Sequence, residues 1–256
     1  MPCFDASFPV PLIRLDETNS TSRYLTTLCE HNDVEEFTIV LSHFQTAGRG
    51  QRKHAWESEA EKNLLFSLAL YPSFLEARNQ FLLSQIISLS MKEGLEAFAS
   101  GFSLKWPNDI YWEAKKIGGM LIENDLIGNQ IRRSIVGVGI NINQEKFHSS
   151  LPNPVSLTQI TGNRYDLLLV LESLVRRCIH YYALLRKGET NLIAQRYCQS
   201  LFRREGMYPY ADKDGEFVAK FVRIEQGGTL VLEDRWGKQR EYAFGELRFL
   251  KEEVVF

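Results

Sequence analysis

Ser103-Leu104-Lys105-Trp106-Pro107-Asn108-Asp109-Ile110-Tyr111-Trp112 opens a segment, running on to Asn143, in which short strand-like runs follow one another with turn residues between them. After Ser103 to Trp106 and Ile110 to Trp112 come Met120-Leu121-Ile122-Glu123 and Ser134 to Ile142. Consecutive strands at this spacing predict a largely antiparallel meander.

Upstream, Phe37-Thr38-Ile39-Val40-Leu41 reads as a buried strand, and Asn63 to Tyr71 as another that ends at Pro72, as a central strand should. The polar, glycine-bearing stretch Gln45 to His54 between them is a loop. Leu82, Leu83, Ile86, Ile87, Met91 and Leu95 recur at helical spacing, and an earlier helix begins at Ser20-Thr21, where a hydroxyl residue suits the cap. Downstream, Asp166 opens an apolar helix from Leu167 to Leu185 with Arg176-Arg177 on its exposed face, and a shorter helix covers Thr190 to Leu201. After Phe202 the runs Phe217 to Phe221, Thr229 to Leu232 and Glu241 to Phe244 alternate in polarity around Gly227-Gly228 and Trp236-Gly237, which predicts a small β-barrel. The fold class expected is α+β: a mixed, largely antiparallel sheet with helices packed on it in residues 1–202, and a small β-barrel in residues 203–256.

The 256 residues are 44% hydrophobic and 24% charged, which excludes disorder as the main state. A formal charge of -2 leaves no global basic field for a nucleic-acid backbone. The longest apolar run, Leu64 to Tyr71, is interrupted by Ser67 and is far too short to span a bilayer. Met1 to Leu15 has no signal-peptide arrangement, so a cytoplasmic location is expected. Cys3, Cys29, Cys178 and Cys198 are scattered without metal-ligand spacing, and no fixed metal site is expected.

Two segments carry chemistry. Gly48-Arg49-Gly50-Gln51-Arg52-Lys53 lacks the spacing of an ordinary nucleotide loop, yet its glycines allow close backbone approach and its cations suit an anion; by itself it reads more readily as an exposed basic loop. In Lys105-Trp106-Pro107-Asn108-Asp109 the proline fixes the backbone between a bulky indole and an amide-carboxylate pair. Lys116 follows as a point positive charge, and Gly118-Gly119 leave room for a ligand against bare backbone.

In combination these segments resemble the biotin protein ligases. The resemblance rests on Ser20-Thr21, on Gln45-Thr46-Ala47-Gly48-Arg49-Gly50 with Trp56 behind it, on Lys105 to Asp109, on Lys116-Ile117-Gly118-Gly119-Met120-Leu121-Ile122-Glu123, and on Gly137-Val138-Gly139-Ile140-Asn141, all in family order. Gly245 to Phe249 resembles the family's C-terminal Src-homology-3-like barrel. The resemblance implies a class II synthetase-like catalytic domain that forms biotinyl-AMP from biotin and ATP with magnesium, then passes biotin to one lysine of a biotin carboxyl carrier domain. It implies Ser20, Thr21, Ser22, Gln45, Gly48, Gly50, Gln51, Gly118 and Gly119 around biotin. Arg49 and Lys116 would meet both the biotin carboxylate and the α-phosphate. Gln51, Arg52, Trp56, Asn108 and Asn141 would face the nucleotide, and Asp109 the attacking lysine amine, with magnesium near it.

The loop departs from the family's Gly-Arg-Gly-Arg-Arg-Gly at Gln51 and Lys53. Members that bind DNA carry a winged helix-turn-helix before the Ser-Thr motif, whereas nineteen residues precede Ser20, so no nucleic-acid partner is expected. A homodimer is compatible with the sequence. The rivals are a lipoate or octanoate ligase of the same fold, disfavoured by Lys105 to Asp109 and by cysteines outside any site motif, and a noncatalytic biotin-sensing module.

Overall fold

The computed structural model describes residues 3–4, 8–50, 55–148 and 153–251, the first pair by backbone alone. In chain order the elements are β1 (Cys3–Phe4), β2 (Leu12–Thr18), α1 (Thr21–His31), β3 (Ile39–Gln45), β4 (Leu64–Leu70), α2 (Phe81–Leu95), β5 (Phe102–Lys105), β6 (Asp109–Trp112), β7 (Lys115–Ile127) and β8 (Gln130–Ile140). There follow α3 (Leu157–Thr161), α4 (Leu167–Arg186), α5 (Thr190–Gln199), β9 (Tyr208–Asp212), β10 (Gly215–Ile224), β11 (Leu230–Asp234), β12 (Gln239–Tyr242) and β13 (Arg248–Phe249).

The large sheet has the order β1-β2-β3-β4-β8-β7-β6-β5. The meander expected from Ser103 to Asn143 is its β5-β6-β7-β8 half. Only β2 and β3 run parallel, and α1 connects them; all other neighbours are antiparallel. One face of the sheet, with Phe66, Leu68, Val136 and Ile140, packs on α2 and α4 in the main core. The other face is lighter: Ile13, Val40, Ala69 and Ile135 bury Leu25 of α1 in a small separate cluster. β4 is buried at all seven positions because helices cover both of its faces, which is why its sequence does not alternate. Each such Leu or Phe side chain contributes on the order of 1.5–3 kcal/mol.

At the start of α4, Asp166 accepts hydrogen bonds from the Leu168 and Leu169 amides at 2.7 and 3.4 Å, as the sequence suggested. The start of α1 departs from expectation. Ser20 sits at the cap position, yet its hydroxyl makes no capping bond and lies 3.1 Å from Ser22 Oγ instead. The elements not legible were the short strands β1, β9 and β13, β2, whose outer residues are half exposed and polar, and α3, a single turn closed by a Ser156–Gln159 capping box. β7 is also longer than its apolar stretch, because its polar outer half continues to pair with β8 in solvent.

The second sheet is five-stranded and antiparallel, in the order β12-β11-β10-β9-β13, and among the described residues its end strands share no ladder. Its inner residues Tyr210, Phe217, Leu230 and Leu232 belong to the same apolar cluster as α2 and the large sheet. Trp106 is the joint: its Nε1 donates to the Gly228 carbonyl at 2.9 Å, and its ring meets Phe244 at 5.3 Å. Gly228 has φ +94°, and a methyl group on it would lie 2.7 Å from the Phe81 ring, so this turn requires glycine on both counts.

Candidate active site

Register builds the floor. Asp109 of β6, Gly119 of β7, Gly139 of β8 and Leu65 of β4 lie opposite one another across four strands, and the next row on the same face is Leu121, Gly137 and Ser67. Three of the floor positions are glycine, so ligand-sized space opens against bare sheet on the face where α1 begins. The cavity there is lined by Ser20, Thr21, Ser22, Gln45, Arg49, Gly50, Trp56, Asn108, Lys116, Gly119, Met120, Leu121 and residues 137–139. Five separate motifs of the sequence therefore converge on one place.

At one end is a polar cluster. Gln45 Oε1 accepts from the Thr21 backbone N–H at 2.8 Å and from Thr21 Oγ1 at 3.2 Å, and Thr21 Oγ1 lies 2.8 Å from Ser67 Oγ. A backbone N–H can only donate, which fixes the Gln45 amide with its oxygen toward Thr21.

At the other end are the charges. Arg49 donates from Nη1 and Nη2 to the two Glu123 oxygens at 3.0 and 2.6 Å, and from Nη2 to Ser22 Oγ at 3.0 Å. Its Nε is buried with no hydrogen-bond partner among the described residues. Lys116 Nζ lies 2.6 Å from Asp109 Oδ1, so each site cation has a carboxylate partner. The Asn108 side chain donates to the Met120 carbonyl at 2.7 Å and ties the Pro107 turn to β7; the preceding Trp106-Pro107 peptide is cis. Lys105 is turned elsewhere, donating to Tyr111 at 2.9 Å, and burial lowers its ammonium below the ordinary lysine range.

Trp56 packs flat on the floor: a methyl group on Gly139 would fall 2.5 Å from its Cε2. Its Nε1 is buried without a hydrogen-bond partner among the described residues. The indole leaves a cavity of about 50 Å³ on one side and borders a hollow of about 470 Å³ on the other, lined also by Gly48, Glu57, Ser58, Gln144 and Lys146.

Not every expected residue reaches the cavity. Gly48 lines the second hollow, and Gly118 is tucked against the Gly139 carbonyl. Asn141 is buried behind the floor, its side chain donating to Val155 O at 3.1 Å, so the structure does not bring it to the space where a nucleotide contact was expected. Gln51, Arg52, Lys53 and His54 lie outside the described residues. His43 stands apart, 3.9 Å from Asp16. Conversely, Ser67 and Glu123 carry contacts in the site although no role follows for them from their motifs. The available signals were the one hydroxyl inside an apolar strand and the acidic end of Lys116 to Glu123.

Residues 14–141, half of the chain, match the biotin/lipoate A/B protein ligase family. The chain belongs to that family. It is 30% identical over 242 residues to the bifunctional ligase/repressor BirA of Bacillus subtilis, covering 91% of this chain and 72% of that protein. With the biotin–(acetyl-CoA-carboxylase) ligase of Paracoccus denitrificans it shares 29% identity over 60% of this chain and 65% of the relative. The biotin protein ligase of Aquifex aeolicus, solved in complex with biotin and ATP, superposes with a TM-score of 0.78 at 29% identity, covering 93% of this chain and 99% of that one. The large mixed sheet and the C-terminal antiparallel sheet are thus this family's architecture.

Proposed function

We propose that the chain is an ATP-dependent biotin protein ligase. The observation that carries this reading is the buried polar cluster of Thr21, Gln45 and Ser67 at one end of a cavity whose other end holds two cations. Lipoyl and octanoyl groups have no hydrogen-bonding head to occupy such a cluster, whereas the ureido ring of biotin does, and this disfavours the rival within the family. A purely biotin-sensing role would not need Lys116 and Asp109 paired beside the floor.

In the first step a biotin carboxylate oxygen attacks the α-phosphorus of ATP and pyrophosphate leaves. Ser20, Thr21, Ser22 and Gln45 hold the head, while Gly50 and Gly119 border the acid, with Gly48 and Gly118 close by; a biotin contact is proposed for Gln51 as well. Arg49 and Lys116 exchange Glu123 and Asp109 for the ligand's carboxylate and phosphate, placing positive charge where the transition state gains negative charge. The Trp56 indole, which covers Gly139 and lines the cavity, flanks the adenine, and Arg52 and Asn108 are assigned to the nucleotide. Asn141 supports the floor rather than touching the nucleotide. In the second step the carrier lysine amine attacks the acyl carbon, AMP leaves, and Asp109, released from Lys116, receives the ammonium or its proton.

Magnesium enters with ATP. We assign it mainly to the phosphates, with at most Asp109 added. It would neutralise the phosphate charge. The acceptor is the biotin carboxyl carrier protein or domain of a carboxylase, and residues 203–256 form a small domain that braces residues 1–202. A homodimer, a cytoplasmic setting and the absence of a nucleic-acid partner, the last resting on the -2 charge, belong to the same proposal. No helix of the described residues is long and apolar enough to cross a membrane.

The test is incubation with biotin, magnesium-ATP and a carrier domain, with mass spectrometry of the carrier. One biotin on one lysine, dependent on ATP, is expected. Transfer of lipoate but not biotin would overturn the reading.

A further inference from the structure

β4 is buried at all seven positions, and six of them are apolar; Ser67 is the exception. Its hydroxyl is wholly out of solvent. A hydroxyl in such a place needs a partner, and here the partner is Thr21 Oγ1 at 2.8 Å. The direction of that bond follows from the rest of the cluster. Gln45 Oε1 already takes the Thr21 N–H, and at 3.2 Å it also takes the Thr21 hydroxyl proton. A hydroxyl has one proton, so when Thr21 donates to Gln45 its oxygen must accept, and Ser67 is the donor. Among the described residues Ser67 Oγ reaches only Thr21, so both hydroxyl protons find acceptors only in the order Ser67 to Thr21 to Gln45.

The consequence falls on Gln45. With its oxygen holding two bonds from Thr21, the amide is left with its Nε2 donors, which have no hydrogen-bond partner among the described residues and lie close to Gly48. The site therefore offers an amide N–H pair to a carbonyl acceptor. Opposite Ser67 in register stands Gly137, whose Cα faces Ser67 Oγ and Ser22 with space for ordinary contact only.

We infer that Ser67 is a positioning residue that sets which way the Thr21–Gln45 cluster donates, and thereby its selectivity for an acid bearing a carbonyl head. The inference rests on the proposed biotin reading. Ser67 lies beneath the residues that line the cavity and acts through them.

The test is single-turnover adenylate formation by the full chain with biotin and with octanoate, for wild type, Ser67→Ala, Ser67→Thr and Thr21→Val. Ser67→Ala is expected to raise the KM for biotin roughly tenfold, the effect of one buried hydrogen bond, with kcat and the KM for ATP unchanged and any octanoate turnover unaffected. Ser67→Thr, which keeps the hydroxyl, is expected to restore the biotin KM. The double variant Ser67→Ala/Thr21→Val is expected to be no worse than Thr21→Val alone, because both act on one relay. An unchanged biotin KM in Ser67→Ala overturns the inference. So does a loss shared equally by biotin, octanoate and ATP, which is what a merely structural serine would give. If Ser67→Ala does not fold, a Ser67→Thr enzyme with weakened biotin selectivity overturns it equally, and one with wild-type selectivity supports it. Failure of the wild type to adenylate biotin counts against the ligase reading instead.

Discussion

Replacing Glu123 with glutamine tests whether Arg49 must change partners to bind a ligand. The carboxylate accepts both terminal nitrogens of Arg49, at 3.0 and 2.6 Å, with the arginine side chain 30% and the glutamate 43% exposed. An ion pair this exposed is screened and contributes about 0.2–1 kcal/mol, and the bidentate geometry puts it toward the upper end. Glutamine keeps one acceptor oxygen and loses the charge, so most of that energy disappears and little of the shape does. If Arg49 leaves Glu123 when the biotin carboxylate arrives, the energy is a cost of binding. Glu123→Gln then tightens biotin two- to fivefold, since 1 kcal/mol is about a factor of five. Titration calorimetry without ATP measures this, and raising the salt to about 0.5 M should shrink the difference, because the screening length falls below the spacing of the charges' surroundings. Unchanged or weaker binding would show that Arg49 stays on Glu123 in the complex, and the partner exchange proposed here would be wrong.

Lys116→Ala removes the cation that leaves Asp109 for the phosphate and should slow adenylate formation about a hundredfold or more in single turnover, with the biotin Kd changing far less. Gly139→Ala drives a methyl group to 2.5 Å from the Trp56 indole and should cost about 1–3 kcal/mol in urea unfolding; in a Trp56→Ala background the cost should vanish. Tyr181 and Tyr210 are both held up to about 12, by burial first and for Tyr181 also by its bond to Glu93, so the folded chain keeps protons that the unfolded chain releases near 10. Stability is then complete below pH 10 and falls as the pH rises from 10 to 12; urea midpoints across that window check the sign.

The meander was readable because each strand from Ser103 to Ile142 is bounded by turn residues, and α2 and α4 because their apolar residues keep helical spacing. β2 was not, since Leu12 and Ile13 are both buried while Arg14, Asp16 and Glu17 are exposed, so its sequence does not alternate. In the site, Arg49, Lys116, Gln45 and Thr21 were legible as motif members, and the structure brings them within one cavity. Asp109 was legible in the same way, but its pairing with Lys116 was not, and neither were the partners of the others: Glu123 lies 74 residues from Arg49 and Ser67 46 residues from Thr21, so no local pattern links them. Asn141 is the converse case: a polar residue at the end of a motif donates to the Val155 carbonyl behind the floor and does not line the cavity.

The indole of Trp106 donates to Gly228 across 122 residues of chain and shares ring contacts with Phe244, inside an apolar cluster that passes without a break from α2 into the C-terminal sheet. A core that is continuous gives heat no seam at which to start. The two sheets should therefore melt together in one calorimetric transition, with the heat absorbed matching the steepness of the curve. A protease attacking the native chain would then find no stable half-product that retains the Pro107 turn, and a split of the gene between β8 and β9 should yield fragments that regain structure only on mixing.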